Sequence, residues 1–115
     1  MSIKRHHVGP RMSEAVVHNG TIYLAGQVAG DTSADPAGQT RQCLAEIDRI
    51  LGELGSDKTK ILAAQIFLSD IAYFKAMNEV WDGWVPSGAT PARATVESKL
   101  ATPKHLVEIK VIAAE

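Results

Sequence analysis

Hydrophobic and polar positions alternate with a period of two near both ends of the chain and recur at helical spacing through its middle. Ala92, Ala94 and Val96 alternate with Arg93, Thr95 and Glu97, and further on Val107, Ile109, Val111 and Ala113 alternate with Leu106, Glu108, Lys110 and Ile112. The two segments predict strands joined by a loop at residues 100–104, each with an apolar face and a face carrying ionisable groups. Ile3 to Val8 and Ser13 to His18 predict two earlier strands, the first ended by Gly9-Pro10. Thr21 to Ala25 predicts a strand that pairs back on the second through Asn19-Gly20, the signature of a type I′ hairpin turn.

Asp35-Pro36 predicts a helix start, with aspartate as N-cap and proline in the first turn, where its missing N–H costs nothing. Ala37, Thr40, Cys43, Leu44, Ile47, Ile50, Leu51 and Leu54 then follow helical periodicity, and Gly55 ends the helix. The apolar run Ile61 to Leu68 predicts a central strand covered on both faces, with Gln65 as a satisfied buried amide. Ser69 or Asp70 caps a second helix with the stripe Phe74, Met77, Trp81 and Trp84, closing before Pro86 and Gly88. Trp84, at the helix end, is placed to line a pocket near the Arg93 loop.

The order strand, strand, strand, helix, strand, helix, strand, strand predicts an α+β two-layer domain, a mixed sheet with two helices on one face. A chain of 115 residues suits one domain spanning residues 1–115. The uncovered face would expose Leu24, Ile66, Leu106 or Ile112, so a buried oligomer interface is expected there.

Composition narrows the function classes. A net charge of −1 argues against a nucleic-acid partner, and the one dense basic cluster, Lys4-Arg5-His6-His7, reads as a solvated strand. Cys43 is the lone cysteine, which excludes an internal disulfide and suits a reducing, cytoplasmic setting; on the apolar helix face it reads as a small buried hydrophobe. No apolar run approaches a membrane span. Neighbouring His6 and His7 on a strand should point to opposite faces, and His18 and His105 lack partners at ligand spacing, so no metal is implied. Gly26-x-x-x-Gly30 lacks a phosphate-loop ending, and no cofactor is expected.

What remains is a cation and a carboxylate on a small β scaffold. Arg93 lies two residues after Pro91 among small side chains, and Glu108 lies between aliphatic neighbours. Such a pair suits a ligand's carboxylate on one side and an attacking water on the other. Arg93 suits the first with parallel N–H donors, Glu108 suits the second as proton acceptor, and backbone around Gly26 suits positioning.

The patterns Met77-Asn-x-x-Trp81-x-x-Trp84, Pro91-x-Arg93-x-Thr-Val, Val107-Glu-Ile-x-x-Ile-Ala and Ala25-Gly26-Gln27 resemble the Rid (YjgF/RidA) family of imine and enamine deaminases, above all its short YoaB-like members. The resemblance implies a chorismate-mutase-like fold assembled as a homotrimeric barrel, with sites in the clefts between subunits. It assigns Arg93 as the carboxylate-binding arginine, Glu108 as the water-activating glutamate and Gly26 as the backbone contact. The chain departs at Gly9-Pro10-Arg11-Met12, where Arg11 or Met12 replaces the family's tyrosine; both become candidates for substrate choice, and a second arginine suits a dicarboxylate. The implied activity is cofactor-free hydrolysis of reactive imines of the 2-aminoacrylate type to 2-oxo acid and ammonia. The alternative is a non-catalytic trimer that binds or senses a small 2-oxo acid. Endoribonuclease activity, also attached to the family, is disfavoured by the near-neutral charge.

Overall fold

In the computed structural model, which describes residues 2–115, seven strands form one sheet: β1 (Lys4–Val8), β2 (Ser13–His18), β3 (Thr21–Leu24), β4 (Gln27–Val28), β5 (Ile61–Leu68), β6 (Ala92–Glu97) and β7 (Val107–Ala114). Two helices, α1 (Pro36–Glu53) and α2 (Phe74–Trp84), join the strands on either side of β5. The order across the sheet is β1-β2-β3-β7-β5-β6, with β4 also pairing β7. Only β5 and β6 run parallel, because α2 carries the chain back over the sheet between them; every other pair is antiparallel. The result is the expected α+β mixed sheet with two helices.

Local chemistry sets the ends of these elements. Asn19 and Gly20 both adopt positive φ, 54° and 77°, as a type I′ turn requires, and bring His18 opposite Thr21. The Asp35 carboxylate accepts from Gly38 N, closing one of the free donors at the start of α1. Gly55 follows the last turn with φ 77°. Asp70 caps a turn of 3₁₀ helix, Ile71–Tyr73, by accepting from Ala72 N, and this turn leads directly into α2.

One apolar core lies between the helices and one sheet face. Cys43, Leu44, Ile47, Ile50 and Leu51 of α1 and Met77 and Trp81 of α2 pack on Ala15, Val17, Ile22, Leu24, Ala64, Ile66, Leu68, Val107, Ile109, Val111 and Ala113. Each large aliphatic side chain so buried contributes about 1.5–3 kcal/mol. Gln39, fully buried like its neighbour Thr40, is satisfied from several sides: its amide donates to the carbonyls of Thr32, Ala34 and Lys104, and its oxygen accepts from Leu106 N at 2.9 Å. This clamp ties the loop before β7 to α1.

The other face of the sheet is bare within the chain, which corrects the expectation of a doubly covered β5. Ala64, Ile66 and Leu68 are buried under the helices, whereas Ala63, Gln65 and Phe67 alternate onto the open side, half-exposed. Gln65 is therefore not a buried amide. Cross-strand register aligns Val16, Tyr23, Ile112, Ala63 and Ala92 in one row of that face, Lys110, Gln65 and Ala94 in the next, and Glu108, Phe67 and Val96 in a third. Of the four residues expected on it, only Ile112 is there; Leu24 and Ile66 lie in the core and Leu106 packs at its rim. No helix is long and apolar enough to cross a membrane among the described residues.

Candidate functional site

The carboxylate candidate sits where two short strands interrupt one another. β3 and β4 pair successive stretches of β7, Tyr23 with Ile112 and Val28 with Glu108, and Ala25-Gly26 fills the break between them. A Cβ built on Gly26 would lie 2.1 Å from Glu108 Oε2, so the carboxylate occupies space that only glycine leaves open. Glu108 is half-buried and makes no side-chain hydrogen bond or ion pair among the described residues. It faces the bare side of the sheet. Beneath the same strand, burial and then the Glu108 charge push the Cys43 thiol up to about 12, and its Sγ sits 3.7 Å from Val107 O. Cys43 is thus a small buried side chain of the core, as its place on the apolar helix face implied.

Arg11 and Met12 are exposed on the turn between β1 and β2, closed by Gly9 N donating to Met12 O at 2.9 Å. Ala25 N donates to Glu14 O, which places this turn at the Gly26 end of the sheet.

Arg93 occupies the opposite edge. It lies on β6 opposite Ala64, whose side chain is in the core, and its guanidinium turns toward the helix layer. Nη1 donates to Asn78 Oδ1 of α2 at 2.8 Å, and the guanidinium carbon lies 5.1 Å from the Trp81 ring centre and 6.0 Å from that of Phe74. The fork is thus held by one hydrogen bond and two aromatic faces, with other N–H donors left for a ligand. Thr95, two residues along the same face, has a buried hydroxyl with no partner among the described residues. Trp84 does not join Arg93. Its indole N–H donates to Asp48 of α1 at 2.9 Å, and it lines a groove of about 500 Å³ between the two helices. Trp81 takes the place beside Arg93 that was expected of Trp84.

Gly26 and Glu108 are therefore brought together, and Arg93 is not. Two strand spacings and three residues of register separate Arg93 from Glu108, roughly 14 Å between Cα atoms, and the side chains leave opposite faces.

The family model described as Endoribonuclease L-PSP matches residues 4–115. The chain belongs to this family, the YjgF proteins. A member of the YjgF family from Neisseria meningitidis superposes with a TM-score of 0.97 at 49% identity, over 100% of this chain and 96% of that one. The RutC family protein YoaB of Escherichia coli is 46% identical over 114 residues, 99% of each chain. The goat protein named 2-iminobutanoate/2-iminopropanoate deaminase is 34% identical, over 94% of this chain and 82% of its own.

Sequence reasoning singled out the two ionisable groups of this YjgF chain and missed what holds one of them. Asn78 lies inside the Met77-Asn motif, and Thr95 shares the period-two face of Arg93. A second grouping was excluded and is present: His6, His7, Glu14 and Glu53 bring one ligand atom each within 4.8 Å of one another. The exclusion assumed regular strand alternation, and His7 breaks it with φ 51°, so that both imidazoles turn to Glu53.

Proposed function

We propose that this protein is a 2-imino/2-enamino acid deaminase, acting as a homotrimer whose sites lie between subunits. The observation that carries the reading is the division of the site: a preorganised Arg93 on one sheet edge, and an unpaired Glu108 carboxylate over Gly26 on a bare, largely apolar face. Packing of that face against other copies covers Tyr23, Phe67, Val96 and Ile112 and offers one subunit's Glu108 to another's Arg93. The kinship with proteins named 2-iminobutanoate/2-iminopropanoate deaminase supports the choice of reaction.

In this reading Arg93 binds the substrate carboxylate through two parallel N–H donors, and Thr95 offers its free hydroxyl beside it. Glu108 takes a proton from water as the oxygen attacks the imine carbon. That proton passes to the nitrogen to give a 2-amino-2-hydroxy acid; Glu108 then takes the hydroxyl proton and returns it to the amino nitrogen, and as the C=O bond forms the C–N bond breaks and 2-oxo acid and ammonia leave. No electron acceptor is needed. In the same reading Arg11 and Met12, exposed on the turn at the Gly26 end, are the candidates to meet the substrate side chain.

The test combines imine turnover, with 2-imino acids generated by an amino-acid oxidase, and calorimetric binding of 2-oxobutyrate. Wild type should accelerate hydrolysis and Glu108→Gln should lose roughly a hundredfold in rate while keeping carboxylate affinity. Full activity of Glu108→Gln removes it from the chemistry. Carboxylate binding without turnover by wild type leaves the 2-oxo acid binder, and a stable monomer at micromolar concentration in light scattering overturns the shared site.

A further inference from the structure

The edge strand β1 pairs with β2 alone, yet two of its side chains reach across to the last turn of α1. His6 Nε2 lies 2.8 Å and His7 Nε2 3.1 Å from the same oxygen, Glu53 Oε1, and His7 Nε2 is 3.8 Å from Glu14 Oε2. The two imidazole centroids are 4.0 Å apart. In a regular strand, neighbouring side chains leave opposite faces. His7 escapes this rule only through its left-handed φ of 51°, a conformation that residues with a Cβ rarely adopt.

The second carboxylate oxygens are already engaged. Arg49 Nη1 holds Glu53 Oε2 at 3.0 Å, and Arg49 Nη2 pairs with Glu14 Oε1 and with Glu46. Each of Glu14 and Glu53 therefore gives one oxygen to the guanidinium and turns the other toward the imidazoles, the arrangement in which an outer partner fixes a ligating carboxylate. Three carboxylates face one guanidinium, so with neutral imidazoles the cluster carries a charge of −2 (three negative, one positive), which a divalent cation would balance.

We propose that His6, His7, Glu14 and Glu53 form a binding site for a divalent transition ion of the Zn²⁺ class. Two imidazoles and two carboxylates are a donor set suited to zinc, and four protein ligands make a closed, structural site. Bonds of about 2.0–2.1 Å place tetrahedral ligands roughly 3.4 Å apart. The donors, all within 4.8 Å of one another, reach that spacing with movements of about an ångström. The bound ion would fasten β1 to the end of α1, on the helix side of the sheet and away from the bare face.

The test uses untagged, chelator-stripped full-length protein titrated with ZnCl₂ in a calorimeter. One equivalent per chain should bind, with a rise in Tm of about 5 °C or more at saturation. Co²⁺ should give the intense visible bands of four-coordinate geometry. The paired change His6→Gln and His7→Asn, the latter chosen because Asn tolerates the left-handed conformation, should weaken Zn²⁺ binding at least tenfold and abolish the Tm shift. His18→Gln and His105→Gln should leave both unchanged. Absence of saturable Zn²⁺ binding by wild type, or equal binding by the His6/His7 variant, overturns the site and leaves the histidines as ion-pair partners of Glu53.

Discussion

Arg93 and Glu108 are the two ionisable candidates of one site, and the molecule treats them differently. Arg93 sits on an edge strand but is held on three sides, by Asn78, Trp81 and Phe74. Glu108 sits on the interior strand β7 and has no polar partner among the described residues; the absence of a side chain at Gly26 is what gives it room. A group that only binds benefits from being fixed, because its entropy is then lost on folding and not on ligand capture. A group that takes and returns a proton must keep its oxygens free, and a carboxylate locked to an arginine is a poor base. Placing them on opposite faces, roughly 14 Å apart, prevents that locking within one chain.

The contrast breaks most sharply at Arg93. Arg93→Ala should lower turnover about a thousandfold, ~4 kcal/mol, and remove binding of small carboxylates, with little change in Tm because the side chain lies outside the core. Arg93→Lys should recover little, since an ammonium cannot make two parallel bonds. Calorimetric binding of 2-oxobutyrate that survives Arg93→Ala would detach the arginine from the site.

Gly26→Ala tests the other half without touching a charge. Its methyl would fall 2.1 Å from Glu108 Oε2, so the carboxylate must move by more than an ångström. Turnover should fall by roughly a hundredfold with carboxylate affinity kept, the scale of losing a positioned acid-base group. Gly30→Ala is the control, because a Cβ there meets nothing within 4 Å. Equal rates for the two variants would mean that the position of Glu108 does not matter.

Support for Glu108 also comes from further away. Gln39 bonds Lys104 O and Leu106 N, just ahead of β7, so Gln39→Leu leaves buried backbone groups without partners. A loss of about 2 kcal/mol in stability is expected by urea denaturation. An unchanged midpoint would show that water replaces the amide at no cost.

Gln39 also marks the limit of what the sequence discloses. Asp35-Pro36, Asn19-Gly20 and the stripe from Cys43 to Leu51 act through neighbours one to four residues away, and each is found where its local chemistry puts it. Gln39 lies in the same helix, but the two partners through which it holds the lead into β7 are sixty-five and sixty-seven residues distant, and nothing in the order of residues distinguishes it from an exposed glutamine. The run Ile61 to Leu68 misleads for a related reason: an apolar residue reads the same whether it lies under a helix or on an open sheet face. β4 has only two residues and no pattern of its own, and the left-handed His7 that gathers the histidine cluster leaves no trace in the order of residues. Arg93 and Glu108 stood out as candidates because ionisable groups on strands of small and aliphatic residues are conspicuous singly. Their relation across the sheet was not, because it depends on which strands become neighbours.

The smallest effect should come from Asn78, which holds Arg93 without reacting. Asn78→Ala removes one hydrogen bond of 2.8 Å but leaves the guanidinium against Trp81 and Phe74, so its charge and approximate place persist. A hydrogen bond to a charged group contributes about 1.5–3 kcal/mol, and water recovers part of it at a half-exposed site. The expected outcome is a weakening of 2-oxobutyrate binding by about fivefold, ~1 kcal/mol, with KM rising and kcat nearly constant. That split is the signature of a group that orients a binding residue. If kcat falls along with affinity as far as in Arg93→Ala, Asn78 itself meets the substrate. If neither moves, the two aromatic rings alone hold the fork, and the rigidity of the Arg93 half comes from stacking and not from its hydrogen bond.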